Sequence, residues 1–256
     1  KKSKKNSKSH FFSNTIANLN LSFFENSELE MNIETTSNDN YLKSHKIKSA
    51  ITNNNSLLNS FLLMKGSKEN LYLEAKVEAY EDLTKDKSSD KYQYLLPSFE
   101  LSKIFNNNLN LFTNGYNKNY DTNIYEKVLI NDLKYSSPPK ISSNGLVNKL
   151  NILLKNVTTE GENSNEYSND FRSQNFGSVM YDLSFPMKKV GNNFDSFLSG
   201  KASFMYSPNK NKNIKNLDRK INIKNIFSQN RLGLDDSVEG GQSITLGGEY
   251  EIIDKM

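Results

Sequence analysis

The sequence has no cysteine and no tryptophan, only two histidines, and five prolines in 256 residues. Without cysteine there is no disulfide, no thiolate metal site and no cysteine nucleophile. A histidine-based metal site or catalytic triad would have to use His10 or His45, both set in polar surroundings. No apolar run approaches the roughly 18 residues of a spanning helix, which excludes a helical membrane protein and leaves a β one open. The chain starts at Lys1 rather than Met and shows no apolar signal-peptide core. No fixed repeat period emerges, which argues against a solenoid.

What is present is polar and aromatic together. The chain is 35% hydrophobic with a mean hydropathy of −0.71, low for a soluble globular domain of this length. Yet 13 Tyr and 15 Phe are too many for a disordered chain. Such a mixture suits strands with one polar face. A water-soluble sandwich needs a more apolar interior, whereas a membrane barrel needs only a thin outward apolar band around a wet lumen. Composition leaves both open. The net charge of +4 is weak evidence, and the leading KKSKKNSK run reads as a solvated terminus rather than a nucleic-acid arm.

Period-two alternation dominates the chain. Ala17, Leu19, Leu21 and Phe23 alternate with polar residues, and after a link at Glu25-Asn26-Ser27 so do Leu29, Met31 and Ile33. Thr36 to Asn55 reads as a loop with a weak strand around Ile47. The cleanest alternation puts Leu71, Leu73, Ala75, Val77 and Ala79 on one face, with Tyr72, Glu74, Lys76, Glu78 and Tyr80 on the other. Further strands are expected at 57–65, 92–103, 109–116, 124–135, 146–155, 176–185, 197–206, 221–227 and 244–252. Pro97 inside one of them implies an edge, a bulge or a strand end. Asn156 to Asn175 reads as a long Glu/Asn/Ser loop, and Ser207 to Leu217 as an Asn/Lys-rich one. The fold class expected is all-β, an antiparallel meander of about twelve strands of roughly eight to twelve residues, long enough to span a membrane when tilted.

Connections alternate short and long along most of the chain, the layout of an outer-membrane barrel. The glycine- and carboxylate-rich turn around Gly233 breaks the rule. Parity makes it short, yet it is a dozen residues long. Either one strand is miscounted, or the turn has a role.

That turn carries a resemblance. Asn230, Arg231, Gly233, Asp235, Glu239, Gly240, Gly241 and Gln242, followed by Thr245, Gly247 and Tyr250, resemble the signature of the outer-membrane lipopolysaccharide-assembly protein family (LptD/OstA type). Tyr94-Leu95-Leu96-Pro97-Ser98-Phe99 and Asp182-Leu183-Ser184-Phe185-Pro186 are similar to its barrel strands. Two departures stand out: Asp236 and Gln242 occupy positions where the family usually has arginine. The likeness covers the barrel part only. It implies residues 1–256 as a partial transmembrane barrel domain, without the N-terminal periplasmic jelly-roll, from a barrel of about twenty-six strands. It also implies a role in placing lipopolysaccharide in the outer leaflet of the bacterial outer membrane. The partners would be lipopolysaccharide, membrane lipid, a lipoprotein plug and a periplasmic transport bridge. No nucleic acid, cofactor or metal is expected.

Glu28, Glu30, Glu74, Lys76, Glu78, Lys149 and Lys155 are the candidate lumen lining. Leu29, Met31, Leu73, Ala75, Val77, Leu150 and Ile152 would face lipid. For Arg231, Asp235 and Glu239, a turn braced by local ion pairs is at least as good a reading as ligand contact. The alternatives are a generic porin or receptor barrel and a soluble β-rich surface adhesin. An enzyme using Asp235, Asp236 and Glu239 as acid–base carboxylates comes last, because no nucleophile, metal set or phosphate loop accompanies them.

Overall fold

Strands form where the alternation is strict, because a two-residue period gives each set of side chains its own face. A computed structural model describes residues 8–47, 54–86, 88–121, 123–212 and 220–255. The leading basic run up to residue 7, and residues 213–217 of the Asn/Lys-rich loop, lie outside the described residues. The strands are β1 (His10–Asn18), β2 (Asn26–Thr36), β3 (Leu57–Lys68), β4 (Leu71–Asp82), β5 (Tyr92–Asn106), β6 (Leu109–Tyr120), β7 (Ile124–Ser136), β8 (Lys140–Ile141), β9 (Val147–Glu162), β10 (Arg172–Val190), β11 (Phe194–Ser207) and β12 (Gly241–Asp254). Two single-turn helices, α1 (Tyr41–Ser44) and α2 (Ser88–Lys91), sit in connections. The architecture is an all-β antiparallel meander in one twelve-stranded sheet. The strands follow chain order from β1 to β12, with β8 paired off the path onto β9.

Contacts divide the chain into two compact units, one running up to Lys103 with Phe112–Leu129 and Thr158–Ser173, the other holding Ile104–Leu111, Ile130–Val157 and the chain from Gln174 on. In the first unit, residues directly opposed across antiparallel strands share a face. Leu29, Met64, Ala75 and Phe99 stand in one row across β2 to β5, and Met31, Leu62 and Val77 in the next. On the other face Glu28, Lys65, Glu74 and Glu100 form a row, beside Glu30, Leu63, Lys76 and Ser98. Lys76 pairs with Ser98 but Glu78 with Leu95, so Leu96 and Pro97, joined by a cis peptide, make a bulge. Pro97 therefore sits where its missing N–H costs the ladder least. The connections between β2 and β3 and between β4 and β5 meet over a small cluster of Leu42, Leu58 and Leu83, packed by Phe12, Tyr41 and Ile47.

In the second unit the same separation holds. Rows Tyr181–Phe204–Ile244, Leu183–Ala202–Leu246 and Met187–Leu198–Tyr250 cross β10, β11 and β12 on one face. Ser178, Asp182, Ser184, Lys201, Ser203 and Thr245 belong to the other.

Burial on the two faces is the reverse of a soluble sheet. Ile244 is 73% exposed and Leu246 75%, while Glu78, Glu126, Asp132, Asn151 and Lys155 are buried. Among the described residues, no second layer covers the apolar face at Met31, Leu62 and Val77 in the first unit or at Leu198 and Phe204 in the second, all of them exposed.

Four expectations need correction. The first hairpin turns earlier than expected: Leu19 N–H makes the last ladder bond to Ser27 C=O at 2.7 Å, and Leu21 to Phe24 is a turn. Consecutive Phe23 and Phe24, packed edge to face at 5.1 Å, had already broken the alternation. Ile47 is not in a strand; its N–H closes onto Leu42 C=O behind α1, and its side chain packs on the small cluster. The presumed loop from Asn156 is still β9 as far as Glu162, and β10 begins at Arg172. Polar outward side chains hid it: Asn156 donates to Asn175 Oδ1 at 2.8 Å, while Val157 remains buried.

The fourth correction is the most consequential, because Ile221 to Phe227 is not a strand. Asn222 accepts from Ile226 N–H at 3.0 Å, Asn225 Oδ1 accepts from Asn222 N–H at 2.7 Å, and Ile223 is 91% exposed. Asparagine side chains bonding to nearby backbone compete with ladder formation. The described residues of the connection between β11 and β12, 208–212 and 220–240, therefore hold no strand, which removes the parity conflict.

Candidate functional site

That connection folds back over the polar face of β9 to β12, and its anchors are specific. The Phe227 ring lies against Gly247 of β12, where an added Cβ would come within 2.9 Å of it. Gln229 Nε2 donates to Ser178 C=O at 3.0 Å and to Ser178 Oγ at 2.9 Å on β10. Lys155 of β9 donates its ammonium to Asp235 C=O at 2.7 Å. Leu234 and Val238 turn inward and are buried.

The turn is built from its own residues. Asn230 spans it, its Nδ2 donating to Leu234 C=O at 2.7 Å while its Oδ1 accepts from Leu234 N–H. Gly233 takes φ +60°, a left-handed conformation that favours a residue without Cβ. Arg231 and Glu239 form a two-point ion pair: Nε donates to Oε2 at 2.9 Å, and the Nη2–Oε1 contact is shorter still. Both are largely buried, so neither charge is screened by water as a surface pair would be. Asp236 pairs with Lys212, and Gly240 N–H donates to Asn211 Oδ1 at 2.8 Å. A Cβ on Gly240 would stand 2.0 Å from Asn209 C=O.

Beneath the loop, Lys155 is 4% exposed and Asp132 7%, and their ion pair measures 2.7 Å. Next to it runs a chain of polar bonds: Ser136 Oγ to Asn151 Oδ1 at 2.8 Å, Asn151 Nδ2 to Asp182 Oδ2 at 2.7 Å, and Ser203 Oγ to Asp182 Oδ1 at 2.6 Å. Every buried charge here has a partner, as its desolvation requires.

The structure thus brings Asn230, Arg231, Gly233, Asp235, Glu239 and Gly240 into one folded turn, with Gly247 beneath it. Gln242 and Tyr250 are elsewhere: their even positions on β12 point to the opposite, apolar face, where Tyr250 donates to Ser196 Oγ at 3.4 Å. Gly241, at φ +100°, is the hinge into β12. Of the polar-row residues, Glu28, Glu30, Glu74, Lys76 and Glu78 share one face, with Glu28 3.9 Å from Lys65 and Lys76 in direct contact with Glu78. Lys155 is buried under the loop, whereas Lys149, on the same strand, is exposed. Asp132 as the partner of Lys155, and Phe227 and Gln229 as anchors of the connection, were missed. The apolar Leu234 and Val238 inside a charged stretch were the visible signal that it packs on something. Among the described residues no cluster of three or more His, Asp or Glu is placed to hold a metal ion.

The family model for LptD, LPS transport system D, matches residues 10–256. The chain belongs to the LptD family. Its family is one of lipopolysaccharide transport and assembly at the outer membrane rather than of enzymes. No curated protein matches the sequence significantly. In this LptD chain the departures at Asp236 and Gln242 now have locations. Asp236 has its own cation in Lys212, and Gln242 stands across from Tyr206 on the apolar face.

Proposed function

We propose that this chain forms part of the wall of an outer-membrane β-barrel that inserts lipopolysaccharide into the outer leaflet. The observation that carries this reading is the inverted burial: registered rows of apolar side chains are bare, and charged side chains on the opposite face are paired and covered. On β12 the outward row from Ile244 to Ile252 spans eight steps, about 27 Å along the strand at ~3.4 Å per residue. Tilted by roughly 40°, that gives a band of about 21 Å, close to the ~25 Å apolar belt of such barrels.

The lumen is lined by Glu28, Glu30, Glu74, Lys76 and Lys149, a wet surface able to brace a charged saccharide, while Glu78 and Lys155 on the same faces are buried in ion pairs with Lys76 and Asp132. The turn from Asn230 to Gly240 lies over that lining at β9 to β12. In the first unit the β2–β3 and β4–β5 connections are long and the β1–β2 and β3–β4 turns short, and in the second the β11–β12 connection is long and the β10–β11 turn short, so the long ones face outside the cell and the short ones the periplasm. Lipopolysaccharide, membrane lipid, a periplasmic transport bridge and a lipoprotein plug are the partners this role entails.

The test is depletion of the protein in cells, following newly made lipopolysaccharide to the surface. Loss of surface lipopolysaccharide with solute uptake unchanged is the expected outcome. Normal delivery with altered uptake would favour a porin or receptor, and recovery of the protein from the soluble fraction would favour an adhesin.

A further inference from the structure

The apolar band of β10 to β12 ends at the short-turn side in a defined groove. Its walls are Met187, Phe194, Leu198 and Tyr250, and its volume is about 560 Å³. That lies within the ~300–1,000 Å³ of ordinary small-molecule sites. The last apolar row, Met187–Leu198–Tyr250, is followed by the row Lys189–Ser196–Ile252 on the same face. Lysines supply the only charge in the lining, through Lys188 and Lys189. Lys188 is taken: it pairs with Asp195 at 3.0 Å, which also holds Lys255 at 2.8 Å, and it lies over the Phe197 ring. Lys189 has no anionic partner among the described residues. The carboxylate of Asp254, opposite Phe194 at the end of β12, is outside the lining.

We infer that this groove is a binding site for an anionic glycerophospholipid of the leaflet nearest the periplasm. The inference rests on the barrel reading above. The acyl chain lies along Met187, Leu198 and Tyr250, and the phosphate meets the Lys189 ammonium where the hydrocarbon ends, with the Ser196 hydroxyl one strand away. A long lysine stem suits this position, since it covers apolar surface while its head stays at the interface. A zwitterionic lipid would place its own ammonium beside Lys189 and lose the advantage. One lysine near an anionic membrane surface corresponds to about five-fold in lipid preference.

The absence of tryptophan makes the test direct. Tyr250→Trp reports on the groove, and Phe204→Trp on the same face at the other end of the band. Each is reconstituted in vesicles of brominated phosphatidylglycerol or brominated phosphatidylethanolamine mixed with their unbrominated forms. Quenching at Tyr250→Trp should show about five-fold preference for phosphatidylglycerol, lost in Lys189→Gln and kept in Lys189→Arg. Phe204→Trp should be quenched by both lipids alike. Equal quenching by the two lipids at Tyr250→Trp overturns the inference, as does a preference that survives Lys189→Gln. Quenching of neither reporter by either lipid overturns the barrel reading itself, and the inference with it.

Discussion

Arg231 and Glu239 show how a charged turn can fold over a sheet without exposing its charges. The two side chains satisfy each other, and truncating one strands the other in a largely dry site. Arg231→Met should weaken docking of the turn by about 3 kcal/mol, on the order of a hundred-fold faster proteolysis between Asn225 and Gly240. The double variant Arg231→Met/Glu239→Leu should recover most of that loss. If the double variant is as labile as the single, the pair is not what holds the turn. Gly240 makes a steric argument of the same kind. Gly240→Ala places a methyl 2.0 Å from Asn209 C=O and should release the turn to protease, whereas Gly200→Ala, with nothing within 4 Å, should not. Equal protection in both variants would mean that the loop reaches its place without the close approach at Asn209.

At the scale of the element, the connections carry the structure's own ties. Lys91 of α2 bridges Asp39 at 2.6 Å in the β2–β3 connection and Glu81 at 2.7 Å on β4. Burial pushes its ammonium down, but the two carboxylates outweigh that and hold it above the ordinary lysine range. A raised cation gives stabilisation that is fully present below the unfolded value of about 10.4 and is lost as pH rises through the folded one. Hydrogen-exchange protection of residues 37–47, taken relative to the base-catalysed rate of the unfolded chain at each pH, should therefore persist through neutral pH and fall only at strongly alkaline pH. In Lys91→Met it should be lost already at neutral pH. A wild-type profile that loosens between pH 7 and 9 would contradict this.

The strands were legible because alternation is a local property. β4 could be read residue by residue from Leu71 to Tyr80, and its two faces are as expected. What period two cannot register is competition from nearby side chains. Ile221 to Phe227 has the spacing of a strand, but Asn222 and Asn225 capture its backbone. Nor does spacing tell where a polar strand ends, and β9 runs on through Asn156, Thr158 and Glu160 because Val157 and Gly161 keep the inward side closed. The turn motif was legible as a composition, with Arg231, Asp235 and Glu239 as candidates for local ion pairs, and the structure pairs Arg231 with Glu239. Its resting place on β9, β10 and β12 was not, since Lys155, Ser178 and Gly247 are brought to it by pairing far along the chain.

For the whole molecule, the account depends on which solvent each face of the sheet meets. Bare apolar rows would be an aggregation surface in water. Against hydrocarbon they are the stable arrangement, and the buried polar network with its loop cover then belongs to a wet interior. The LptD membership and the inverted burial agree. Because the chain has no cysteine, each introduced cysteine is its only one. The direct measurement is a spin-label scan of β12, one cysteine at a time from Ser243 to Ile252, in bilayers. Accessibility to oxygen in the lipid should peak at Ile244, Leu246, Gly248, Tyr250 and Ile252, and accessibility to an aqueous nickel chelate should not. A flat profile, or oxygen maxima at Thr245, Gly247 and Glu249 instead, would contradict the account.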